Sequence, residues 1–194
     1  MMTVFQMRMN IGTKMIGEIN KQFQEEVETR LNEYLVGKPN ITRQSIATKR
    51  GQLIEEVAYE FLCKNKNVVS IERQVFIPEV DEFSNIDLVV KLANEKTIYI
   101  PCAKDLWLGT SQQDRLQLIY YKWKLWEAKV DSLPANSSFC YLCLDNYEEF
   151  LAKKPTKKAR RKAKLQEVVK LFAQSSIIQD MGSLLKFIEK VAEQ

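Results

Sequence analysis

Histidine is missing altogether from this chain of 194 residues. Its absence excludes Ser-His and Cys-His nucleophile pairs and every histidine-based metal site. Cysteine is sparse, at 4 residues. Cys63, Cys102, Cys140 and Cys143 do not form the dense, even framework of a small secreted domain, so a reducing compartment is expected. No stretch approaches the roughly 20 apolar residues of a membrane span. The opening segment, Met1 to Asn10, carries no long apolar run of the signal-peptide kind. The expectation is a cytoplasmic protein with no membrane partner.

What is present reads as one globular domain with a substantial core. Hydrophobic residues make up 45% and charged residues 28% of the chain, with a net charge of +4. The excess is local: Lys153 to Lys164 holds eight Lys or Arg and no acid.

Periodicity divides the chain into a helical segment over 12–48, a core over 49–145 and a basic helical segment over 146–194. Ile16, Ile19, Phe23, Val27, Leu31 and Leu35 recur at steps of three and four, predicting a helix that Gly37-Lys38-Pro39-Asn40 ends. Arg50-Gly51 opens a second helix running to about Lys64. The period then changes to that of strands, over Val68 to Val80, Ile86 to Leu92 and Thr97 to Pro101, with a turn at Asn94-Glu95-Lys96. A helix over 112–130, a buried strand over Ser137 to Leu144, and helices over 157–173 and 182–192 complete a mixed α/β order. Trp123, Trp126, Tyr120 and Tyr121 fall at helical spacing and read as core. Cys140 and Cys143 lie in an apolar strand with no second pair, which argues against zinc.

The most informative stretch is Asn85 to Lys104, a hairpin carrying Asp87 at the start of one strand and Lys104 at the end of the next. A lone acid within an apolar strand is costly without a counterion or metal. The rival reading is a solvent-facing cap. This segment resembles the PD-(D/E)xK motif of the restriction-endonuclease-like superfamily, and the chain is most similar to a small type II restriction endonuclease. The resemblance covers about Lys49 to Cys143 and implies a central mixed β-sheet flanked by helices. It also implies a Mg²⁺-dependent enzyme that cuts double-stranded DNA, commonly as a homodimer. Holliday-junction resolution, a repair role, or a catalytically inactive DNA-binding relative are the alternatives. Nuclease classes that depend on histidine, the HNH and phospholipase-D-like ones, are excluded by composition.

Carried onto this chain, the resemblance makes Asp87 the principal metal ligand and Lys104 the residue that positions the attacking water. Ala103 would offer its backbone carbonyl to the metal. The departure is Cys102, which stands where the second acid is expected and is a soft, poor ligand for Mg²⁺. Alternation places Cys102 and Lys104 on one face. Glu55, four residues after Gly51, resembles the catalytic helix glutamate of archaeal junction resolvases and many restriction enzymes, and is nominated as the missing acid. Glu56 and Glu60 are its neighbours on the same helix, and an exposed glutamate is the rival. Gln74 could orient a water or ligand, and Arg73 and Arg50 could touch phosphate. Ser111, Gln112 and Arg115 sit where a helix N-terminus would meet the DNA backbone. Lys157, Lys158, Arg160 and Arg161 would add phosphate contacts; a solvated basic surface is the rival there.

Overall fold

The computed structural model describes residues 13–78, 85–104, 124, 137–144, 167, 170 and 178–193. Helix α1 spans Thr13–Leu35 and α2 spans Arg43–Cys63. Strands β1 (Val68–Val75), β2 (Ile86–Leu92) and β3 (Thr97–Lys104) follow, then β4 (Ser137–Cys143) and β5 (Ile178–Gln179), and α3 (Met181–Ala192) closes the order. The expected helices over 112–130 and 157–173 lie outside the described residues, apart from Lys124, Glu167 and Lys170, which are helical.

Among the described residues the strands form one mixed sheet in the order β1-β2-β3-β4-β5. The first three pair antiparallel, while β3–β4 and β4–β5 are parallel. An α/β domain with a mixed sheet is therefore what the chain builds. One side of the sheet takes the three helices: Phe23, Val27 and Leu31 of α1, Leu53, Ile54, Val57, Ala58 and Leu62 of α2, and Met181, Leu184 and Ile188 of α3 pack with Leu88, Val90, Ile98, Ile100 and Leu142. On the other side Ile86, Val89 and Tyr99 form a second cluster with Val75 and Ile77.

Helix α2 starts earlier than the expected Arg50. Thr42 is its N-cap, extended at φ −76 and ψ 153, with its hydroxyl accepting from the Ser45 N–H. Gly51, a poor helix former, masks this continuity in the sequence. Two ion pairs clamp α2 to α1. Arg30 grips Glu60 through both terminal nitrogens at 2.8 and 2.7 Å and reaches Glu26 at 2.8 Å. Arg50 meets Glu28 at 2.5 Å, with its own side chain only 15% exposed. Arg50, expected at phosphate, thus braces two helices.

Helix α3 begins at Asp180, whose carboxylate accepts from the Ser183 N–H at 2.8 Å. It docks on α1, where the Gly182 N–H donates to Asn20 Oδ1 at 2.7 Å. Its C-terminal Val191 carbonyl accepts from Asn94 at 2.7 Å and Lys96 at 3.2 Å, both in the β2–β3 turn. A cation at that helix end is favourable. Strand β1 is shorter than expected, and β5, only two residues long, gave no periodic signal. No helix among the described residues is long and apolar enough to cross a membrane.

Candidate active site

Side chains alternate along a regular strand, yet here three adjacent strands lose that phase at one level. In β1, Val68 and Ile71 pack toward the helices whereas Val75 belongs to the other face. The pairs Arg73↔Leu88 and Val75↔Ile86 put Gln74 opposite Asp87, and Gln74 is left-handed at φ 52. In β2, Leu88 packs toward the helices and Ile86 away from them, so the switch falls at Asp87. In β3, the pairing with β4 slips between Tyr99 and Cys102. The register of β2 with β3 ends at Leu88↔Ile100, and the next residue is Pro101, which has no N–H to donate.

The broken ladder leaves a backbone donor that a side chain takes up. Ala103 N–H donates to Asp87 Oδ2 at 2.9 Å. The second Asp87 oxygen, Oδ1, accepts from Gln74 Nε2 at 3.2 Å. The same nitrogen donates to Glu55 Oε2 at 2.8 Å. One amide therefore joins an acid from α2 to an acid from β2. Glu55 Oε1 accepts from Arg73 Nε and Nη2, both at 3.1 Å. Glu55 is 8% exposed, so its charge needs these donors.

Of the helix acids considered, Glu55 is the one joined to Asp87, while Glu60 is bound to Arg30. Arg73, expected at phosphate, and Gln74, expected to orient a water, a ligand or DNA, are turned onto the acids. The Arg73 guanidinium also lies 5.6 Å from the Tyr59 ring centroid, one turn along α2 from Glu55. A hydrogen bond with Cys63 pushes the Tyr59 hydroxyl above its ordinary range. Cys140 is buried in the helix-side core, and burial pushes its thiol well up. Cys143 donates to the Gln179 carbonyl at 3.5 Å. Both thiols are accounted for structurally.

By backbone register, Cys102 and Lys104 stand opposite Tyr141 and Cys143 of β4. Ser111, Gln112, Arg115, Lys157, Lys158, Arg160 and Arg161, with the aromatic residues over 120–126, lie outside the described residues.

The Asp87 and Glu55 carboxylates, joined through Gln74, offer hard oxygens suited to a small divalent cation. Mg²⁺ is held by one or two carboxylates and keeps several waters. Among the described residues no three Asp, Glu, Cys or His side chains group as a metal cage, so a cation here would rest on two carboxylates and neutral oxygens.

No protein-family model matches the chain, and no curated protein or solved structure matches it.

Proposed function

We propose that this chain is a Mg²⁺-dependent endonuclease that hydrolyses phosphodiester bonds of double-stranded DNA, in the manner of a small type II restriction enzyme. The observation that carries the reading is the Gln74 amide shared by Glu55 and Asp87. A glutamate nominated from a helix and an aspartate nominated from a strand meet at one nitrogen. Neither periodicity nor spacing requires that meeting.

In this reading Asp87 and Glu55 hold the ion. Bound there, Mg²⁺ would supply a more acidic water and a positive charge for the scissile phosphate. Ala103 contributes in two ways. Its N–H orients Asp87, and its carbonyl leaves the strand on the same flank, because the N–H and C=O of one residue point together in an extended chain. Lys104, the next residue along β3, orients the attacking water and offsets phosphate charge. The basic run, with Lys157, Lys158, Arg160 and Arg161, supplies salt-sensitive attraction to the DNA backbone. A two-fold homodimer would set two such sites to cut both strands.

One observation favours a second reading, a non-catalytic DNA-binding relative. Arg73, Gln74 and the Ala103 N–H already satisfy much of the carboxylate pair without a cation. Junction resolution or repair would use the same residues on a different substrate.

Digestion of plasmid and phage DNA separates these readings. With Mg²⁺, discrete fragments are expected, abolished by EDTA and by Lys104→Ala, with DNA binding retained in the variant. Cutting that is unchanged in Lys104→Ala removes the lysine from the mechanism. Binding without cleavage of any DNA, linear, supercoiled or branched, selects the non-catalytic relative.

A further inference from the structure

Gln74 is neutral, yet it occupies the point where two carboxylates converge. Its nitrogen lies 2.8 Å from Glu55 Oε2 and 3.2 Å from Asp87 Oδ1. Its backbone is left-handed at φ 52, a conformation that is strained for a glutamine and persists only where its surroundings impose it. Strands β1 and β2 both change face at this rung.

Resting on the nuclease reading above, we propose that Gln74 is itself a ligand of the divalent cation, its amide reversing as the ion enters so that Oε1 replaces Nε2 between Glu55 and Asp87. The oxygen and nitrogen of an amide are nearly alike in size and place. A half-turn about the last side-chain bond exchanges them while the backbone stays put. Charge supplies the reason for the exchange. Without a cation the two acids need a donor between them, and Nε2 is that donor. Beside a cation an N–H would be repelled, whereas an amide oxygen is a hard ligand of the kind such ions take. Arg73 remains on Glu55 Oε1, which leaves Oε2 for the ion. Gln74 thereby adds a neutral hard oxygen to the two carboxylates.

A mere place-holder would have the opposite effect, because removing it would remove a competitor. Mn²⁺ is therefore titrated into the full chain without DNA, followed by calorimetry and by the rise in Tm. Gln74→Leu is expected to bind Mn²⁺ about tenfold more weakly than the natural protein. Gln74→Glu is expected to melt lower without the ion, bind it more tightly and show a larger rise in Tm. Affinity in Gln74→Leu equal to or above that of the natural protein overturns the proposal. If Gln74→Leu does not fold, Gln74→Glu decides, and affinity no higher than natural overturns it. The underlying nuclease reading fails in a different way. Then the natural protein, Glu55→Gln and Asp87→Asn take up Mn²⁺ equally or not at all, and the role of Gln74 falls with the ion site.

Discussion

At the scale of single residues, the proposed nuclease site has two carboxylates, Glu55 and Asp87, and a cysteine, Cys102, at the sequence position where the resemblance expects a further acid. Cys102→Glu tests how much that substitution matters. If the site uses two acids and a neutral ligand, adding a third carboxylate is expected to preserve or raise Mg²⁺-dependent cleavage, measured as turnover of a plasmid substrate at saturating Mg²⁺. If instead Cys102→Ser is folded and inactive, the thiol has a specific chemical part. Asp87 and Glu55 were legible as residues because an acid inside Ile-Asp-Leu-Val-Val is conspicuous, and because the spacing from Gly51 resembles a known helix start. The donors that hold them were not legible. A glutamine at φ 52 follows no rule of strand alternation, and an arginine in a strand reads equally well as a phosphate contact or a counterion.

At the scale of elements, the clamp between α1 and α2 can be tested by pH. Arg30 beside Glu60, chiefly through their hydrogen bonds, holds the Glu60 carboxyl below its ordinary 4.5. A depressed carboxyl contributes stability that is fully present above that ordinary value and is lost as pH falls through the lowered one. The side chains are 28% and 42% exposed, so solvent screening reduces the effect. Arg30→Met is expected to cost about 1 kcal/mol near neutral pH. In urea unfolding the gap from the natural protein should narrow as pH falls through the lowered Glu60 value and the carboxylate takes up its proton. A gap of constant size would assign the loss to packing.

The junction of α1 with α3 is a steric matter. A Cβ on Gly182 would come within 2.7 Å of the Ile16 carbonyl oxygen and 2.9 Å of its Cα. Gly182→Ala is expected to destabilise by about 1–3 kcal/mol, read as a lower urea midpoint, because two backbones must part. The hairpin of β2 and β3 was legible from its apolar runs and turn. The start of α2 was not, since Gly51 interrupts a helix whose cap, Thr42, lies well upstream.

At the scale of the whole molecule, the mixed α/β character followed from the switch between helical and alternating periods. The strand order did not, because a sheet with parallel β3–β4 and β4–β5 pairs depends on contacts between distant segments. Strict alternation also misjudges the region that matters most. It assumes unbroken strands, while β1, β2 and β3 each lose phase at the level of the acids. That interruption brings a helix glutamate, a strand aspartate and a backbone amide into one network. A perfectly regular sheet would have kept them on separate faces.

The contact of Asn20 with Gly182 ties an early segment to a late one. On the ribosome α1 emerges long before α3, and α2 can shield only part of its apolar stripe. Ile16, which abuts Gly182, then waits for a partner that has not yet been synthesised. Completion of the fold is thus a late event in translation, and a nascent chain paused before Met181 offers chaperones an uncovered helix flank.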